Sequence, residues 1–394
     1  MNQQDKSMEA SKIINKQQLL DNGSNCRQRI LSVDALRGFD MIWILGAEGI
    51  FAALFVMTGW SWTQSLAMQM QHSNWHGISA YDVIFPLFIF LAGVSLGISA
   101  KPMSQYPVAK RKPMILGSVK RLILLILLGV IYNHGWGNGI PMHMEDVRFV
   151  SVLGRIGIAW FVATMVCWYL SERAQWLLAI SILIAYWLLL TVVEVSGFGG
   201  GNYSQNWALN AWFDAKFMPG ASYKGLLIDP EGLLSNVSSI VNALAGVFIA
   251  RVMMNNRANP NHLILLLLFW GSVCVALGFL WHLAFPINKT LWTSSFAMVT
   301  IGYSILLLMI FYYLFDVLKL TVLAKFFAVI GCNSIVIYLS TSIVNWQYIS
   351  NSLFGGIINN FGGDSAMLLK IVFLVLIQWL FLYWLYRRNI FIKV

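Results

Sequence analysis

His72 and His76 stand in one short segment, Gln71-His72-Ser73-Asn74-Trp75-His76-Gly77, and Asp82 follows in Tyr81-Asp82-Val83-Ile84-Phe85-Pro86. An apolar run, 85–98, begins directly after them. Histidine has the ordinary pKa nearest neutrality, which suits it to proton transfer or nucleophilic attack. A carboxylate bonded to one ring nitrogen fixes the tautomer and raises the basicity of the other nitrogen. Asp82 and Glu48 are the carboxylates placed to do this. The same side chains also fit a plainer role, as interfacial polar groups beside Trp75.

The elements that must hold these residues are membrane helices. Hydrophobic residues make up 58% of the 394-residue chain and charged residues 11%, against about 25% charged in an ordinary soluble domain. Apolar runs of about 20 residues recur throughout, which marks an all-α, polytopic integral membrane protein. The pattern gives ten spans: 38–58, 82–100, 119–134, 151–170, 174–195, 234–254, 262–284, 293–316, 326–347 and 367–386. They leave a polar tail, 1–29, and a single transmembrane domain, 30–394, with no room for a sizeable soluble domain. No cleavable signal peptide is evident, because the first apolar run is followed by many more. Residues 11–20 could form a short surface helix or stay disordered. Residues 348–366 are rich in Asn and Gly and read as a loop.

The net charge of +10 does not point to nucleic acid, because the basic residues lie between apolar runs and form no single face. Instead they sort by side. Lys6, Lys12, Lys16, Arg27, Arg29, Arg37, Lys101, Lys110, Arg111, Lys112, Lys120, Arg121, Arg173, Arg251, Arg257, Lys319, Lys325, Arg387, Arg388 and Lys393 fall on one side of the ten-span map, and only Arg148, Arg155, Lys216, Lys224, Lys289 and Lys370 on the other. The positive-inside rule makes the first side cytoplasmic. Both termini are then cytoplasmic and His72 is on the far side, in a multi-pass protein of the cell (inner) membrane. The far-side loops are also rich in polar residues, among them His134, Asn138, His143 and Glu145. Cys26, Cys167, Cys274 and Cys332 are scattered and show neither a metal nor a disulfide framework. The run Gly199-Gly200-Gly201 lacks the strand and helix of a phosphate loop and reads as a flexible turn.

Charges inside spans are costly and mark cavities or partners. Asp40 and Glu48 are spaced by about two helical turns and would share a face if the first span were continuous. Glu48 could pair with Arg155 or join His72 and Asp82, while Asp40 could pair with Arg37 or Lys120. Asp34 could cap the first helix. Taken alone, Asp40, Glu48 and Arg155 suit a proton-coupled small-molecule or sugar transporter without acyl chemistry, although no inverted repeat or pair of broken helices supports it.

The motifs together resemble those of the heparan-α-glucosaminide N-acetyltransferase family in its shorter bacterial form, without an N-terminal luminal region. The resemblance runs from about Arg29 to Val394. It rests on Ser32-Val33-Asp34-Ala35-Leu36-Arg37-Gly38, on His72-Ser73-Asn74-Trp75-His76-Gly77 and on Asp82-Val83-Ile84-Phe85-Pro86. It continues through the segment 148–157, Asp229-Pro230-Glu231-Gly232, Asn288-Lys289-Thr290-Leu291-Trp292, Gly331-Cys332-Asn333-Ser334 and Tyr386-Arg387-Arg388-Asn389.

This resemblance implies transfer of an acetyl group from cytoplasmic acetyl-CoA, a co-substrate, to an amino sugar or glycan on the opposite side, with no metal. It implies that His72 is the active histidine and Asp82 its carboxylate, and it suggests a homodimer among membrane lipids. The chain departs from the family at three positions. His76 stands where relatives carry Asn, Glu48 where the eukaryotic form has a functional Asn, and Thr341 where that form has a second His. The expected catalytic set is therefore His72, Asp82, Glu48 and His76. A basic rim at Lys110, Arg111, Lys112, Lys120 and Arg121 would attract the phosphates of acetyl-CoA, and Arg37, Lys120, Arg121 and Arg155 are the expected co-substrate residues. His72 could carry the acetyl group or act as a base for direct transfer. Trp207, Trp212 and Phe213 could stack sugar rings or anchor the interface.

Overall fold

Apolar length and helix-breaking residues together set the architecture. The computed structural model describes residues 30–134, 137 and 143–392. The polar tail 1–29, with its possible helix and Cys26, and also Asn138 and Lys393 lie outside the described residues. In chain order the helices are α1 (Leu31–Ile44), α2 (Ala47–Thr58), α3 (Ser61–Gln69), α4 (Ile84–Ser99), α5 (Val108–His134), α6 (Val152–Tyr169), α7 (Glu172–Val192), α8 (Leu209–Phe217), α9 (Ser235–Asn255), α10 (Pro260–His282), α11 (Ser294–Tyr312), α12 (Thr321–Gly331), α13 (Ser334–Ile343), α14 (Trp346–Phe361) and α15 (Gly363–Arg387). A two-residue hairpin, β1 (Glu194–Val195) with β2 (Phe198–Gly199), occupies the glycine-rich loop. Among the described residues, eight helices are long and apolar enough to cross a membrane, and ten crossings result if each of two bent pairs is one span.

Both bent pairs revise the reading of the sequence. The first apolar run breaks by 67° between α1 and α2, where Gly46 takes a left-handed conformation with φ +114° that favours glycine. Asp40 and Glu48 therefore lie on different helices and do not share one face. The ninth run breaks by 53° between α12 and α13. The third span is not short: α5 has 27 residues, because its first turns wind the basic segment at Lys110, Arg111 and Lys112, which an apolar pattern omits. The expected loop at 348–366 is mostly helix α14. The Asn345 side chain accepts from the Tyr348 amide at 2.9 Å and caps it, and Phe354 stacks on Phe373 of α15 with centroids 4.4 Å apart.

The helices α4 and α9 form the centre. Gly93 and Gly246 let their backbones touch, since a Cβ at Gly93 would sit 1.9 Å from the Ala243 carbonyl oxygen and one at Gly246 would sit 2.1 Å from that of Phe90. Small residues at such crossings replace the hydrophobic drive that lipid removes. The helices α5, α10 and α15 are peripheral and keep large apolar side chains exposed, such as Leu116, Ile123 and Leu127 on α5 and Leu376, Leu380 and Trp384 on α15. Such faces suit a lipid solvent.

Candidate functional site

The segment between α3 and α4 is irregular because it is organised around one buried carboxylate. Asp82 lies in a short 3-10 turn, Tyr81–Val83, that leads into α4. Its side chain has no exposed surface. Its Oδ2 accepts from the Ser73 amide at 3.1 Å, the Ser79 amide at 3.1 Å and the Ser79 hydroxyl at 3.0 Å. Its Oδ1 lies 2.8 Å from Nδ1 of His72. An ionised carboxylate only accepts, which assigns the imidazole proton to Nδ1 and makes Nε2 the acceptor nitrogen, 3.5 Å from the Lys289 Nζ. The His72 side chain is 56% exposed, so the lone pair is accessible. Tyr81 packs on the ring with centroids 4.8 Å apart.

A third group completes the cluster. Lys289, from the loop between α10 and α11, places Nζ 3.3 Å from Asp82 Oδ1 and 3.0 and 3.5 Å from the two ring nitrogens of His72. Backbone contacts tie this loop to the histidine segment. The Asn288 amide side chain donates to the Trp75 carbonyl at 2.8 Å, and the Gly77 amide donates to the Ile287 carbonyl at 2.8 Å. Burial pushes the Lys289 ammonium below its ordinary pKa, and the neighbouring Asp82 opposes that shift.

The opposite wall comes from two further loops. Arg148 donates through Nε to Asp229 Oδ2 at 2.8 Å and through Nη2 to Asp229 Oδ1 at 2.5 Å, and Nη2 also reaches Glu231. Its guanidinium lies 4.9 Å from the centroid of the Tyr223 ring. Burial opposes the Arg148 charge, but the two carboxylates outweigh it and raise its pKa. Asp214 of α8 supports the wall from behind by accepting from the Asp229 and Leu233 amides at 3.2 and 3.1 Å. Between the walls is a cavity of about 520 Å³ lined by His72, Asp82, Lys289, Arg148, Tyr223 and Glu231, with the stacked pair Tyr132 and Tyr338 among its other residues. Among the described residues no cluster of His, Cys, Asp and Glu could hold a metal ion.

The structure brings together two of the four residues expected to be catalytic, His72 and Asp82. Glu48 lies in the turn Ala47–Gly49, within electrostatic reach of Tyr81. It does not line the cavity, and its Oε2 is buried without a hydrogen-bond partner among the described residues. His76 does not line the cavity and lies beside Trp75, with ring centroids 6.1 Å apart. Burial, followed by the neighbouring His282, pushes its pKa down.

The expected co-substrate residues divide between the two ends of the bundle. Arg37 bonds Ser95 at 2.9 Å and Asp34 at 3.4 Å, roughly 20 Å along α4 from Asp82 at 1.5 Å per residue. Arg121 lies within its electrostatic reach, 3.9 Å above the Trp160 ring, and Lys120 is exposed on α5. Arg155 is instead at the His72 end. It is fully buried, bonded to Asn236 at 3.2 Å and to Ser235, and stacked 4.7 Å from Trp292. It makes no pair with Glu48, and Arg37 pairs with Asp34 and not with Asp40.

No protein-family model matches the chain. It is 27% identical to the heparan-alpha-glucosaminide N-acetyltransferase of Homo sapiens over an alignment of 375 positions, covering 80% of this chain and 53% of that protein. It is also 27% identical to the Mus musculus protein of the same name over 332 positions, covering 70% of this chain and 49% of the relative. These matches support membership of the heparan-α-glucosaminide N-acetyltransferase family. The chain spans about half the length of the curated relatives it matches. In this chain Lys289, Arg148, Tyr223 and Glu231 line the cavity, although the sequence pattern assigns none of them a role. Three of them stand in the family motifs, but only the tertiary pairing singles them out.

Proposed function

We propose that this protein moves an acetyl group from acetyl-CoA on the cytoplasmic side to the amine of an amino sugar or glycan on the far side, with His72 as general base. The names of the relatives support N-acetyl transfer to a glucosaminide. The observation that carries the reading is the His72–Asp82–Lys289 cluster opening into a single cavity. The sorting of basic residues supports the orientation: Arg37, Lys120 and Arg121 would meet the phosphates, and the pantetheine arm would pass between helices towards His72.

The chemistry follows from the tautomer. The Nε2 lone pair takes a proton from the acceptor nitrogen as that nitrogen attacks the thioester carbonyl. A C–N bond forms, the C–S bond breaks, and the proton passes from His72 to the departing thiolate. Asp82 stabilises the imidazolium formed in between. The Lys289 ammonium stabilises the oxyanion of the tetrahedral intermediate. One chamber shared by His72 and the opposite wall favours direct transfer with both substrates bound.

The test uses purified protein in liposomes with radiolabelled acetyl-CoA and glucosamine. Labelled N-acetylglucosamine should form with the native protein and be lost in His72→Ala. Absence of product with the native protein, or full activity in His72→Ala, would overturn the reading. Label retained on the protein without acceptor would replace direct transfer by an acetyl-histidine route.

A further inference from the structure

The wall facing His72 is built on an arginine shared by two carboxylates. One guanidinium, Arg148, is held by two carboxylates, Asp229 and Glu231. Asp229 is fully spent: both of its oxygens accept from Arg148, and it also takes the Tyr223 and Glu231 amides. Glu231 is different. Only its Oε2 is engaged by Arg148, and its Oε1 has no protein donor among the described residues. On the His72 side, Lys289 and Asp82 offset one another. Glu231 also lies within electrostatic reach of the buried Arg155 and of Lys289, and its spare oxygen is on a lining residue. Tyr223 lines the same wall, with the Arg148 guanidinium 4.9 Å and the Lys224 Nζ 5.1 Å from its ring centroid.

We propose that Glu231 is the binding residue for the protonated amine of the acceptor, which gives up one proton to solvent before the neutral amine attacks, with the Tyr223 side chain beside the sugar ring. The proposal rests on the acetyl-transfer reading for the identity of the acceptor as an amino sugar. It adds that the site selects a cationic ring over a neutral one. A charge-assisted hydrogen bond in a partly dry cavity discriminates strongly. Arg148 holds the Glu231 carboxylate in place through Oε2, so its position is set before the ligand arrives.

Equilibrium binding of radiolabelled glucosamine and of labelled glucose to the intact protein in detergent tests this without any turnover. Glucosamine should bind the native protein about ten- to a hundredfold more tightly than glucose. Glu231→Gln, which keeps an oxygen for Arg148 but loses the charge, should abolish that preference while acetyl-CoA binding stays within about twofold. Equal binding of the two sugars by the native protein, a measurement that needs no variant, would overturn the proposal. So would an undiminished preference in Glu231→Gln. Selective amine binding without acetyl transfer would uphold the Glu231 site and sink the enzymatic reading. Acetyl transfer with an unchanged acceptor KM in Glu231→Gln would do the reverse.

Discussion

The Nζ of Lys289 lies 3.0 Å from Nδ1 of His72, although 217 positions separate the two residues. Both nitrogens converge on Asp82 Oδ1. An ammonium at this position supplies positive charge where a thioester oxygen would become an anion.

The first prediction concerns that cation. Lys289→Met should lower kcat by about 10²–10³ while leaving the KM for acetyl-CoA nearly unchanged. Activity should also fall as pH rises through the Lys289 pKa, because deprotonation removes the charge. Burial places that pKa below the ordinary lysine value of 10.5, so the alkaline limb of the rate profile should fall below that pH. Lys289→Arg keeps its charge across the range and should move the limb upward. Identical limbs in the two proteins would exclude Lys289 as the titrating group.

The second concerns the tautomer. Asp82→Asn keeps an oxygen for the Ser73 and Ser79 donors but places an amide N–H opposite Nδ1 of His72. The ring proton would then shift to Nε2, and the base would be lost. The expected fall in kcat is about 10²–10⁴, with acetyl-CoA binding retained. Retention of more than a tenth of the native kcat would rule out this role for Asp82.

Much of this organisation was legible in the sequence, for identifiable physical reasons. Span number followed from apolar length, since lipid allows few alternatives to a helix. The pairing of His72 with Asp82 was legible because the two are ten positions apart on one short segment. The bend at Gly46 was not, because a single glycine inside an apolar run leaves hydropathy unchanged. Helix α14 was missed because its Asn and Gly content hides apolar contacts with α15. Lys289 and Glu231 are not singled out by the sequence because their roles depend on loops that meet only in the folded chain, and a lone Lys or Glu in a polar loop looks like any solvated charge.

The third prediction tests the central crossing that carries Asp82. A methyl group at Gly93 would meet backbone, the Ala243 carbonyl oxygen at 1.9 Å and its carbon at 2.7 Å, so no side chain can yield to admit it. Gly93→Ala should cost about 1–3 kcal/mol or more, seen as a lower Tm in detergent and less folded protein. A methyl group at Gly355 would have nothing within 4 Å, so Gly355→Ala should leave Tm near native. Equal Tm values for the two variants would refute the close crossing of α4 and α9.

The fourth prediction concerns the support behind Glu231. Asp214 is 2% exposed, and burial raises its carboxyl to about 6 despite the backbone donors from Leu233 and Asp229. The ordinary value, 3.8, describes the unfolded chain. The folded state therefore binds this proton more tightly. The resulting stabilisation is complete below pH 3.8 and is lost as pH rises through about 6. Its size is about 3 kcal/mol. Other carboxylates have their own pH dependence, so the informative quantity is the Tm of the native protein minus that of Asp214→Asn. The amide cannot accept from both backbone N–H groups, which lowers the variant's Tm by an amount independent of pH. The gap should widen as pH falls from about 7 to about 4, and a constant gap would show that Asp214 does not titrate in that range. Because Asp214 holds the amides of Asp229 and Leu233 on either side of Glu231, the acceptor affinity of Asp214→Asn should weaken together with its stability.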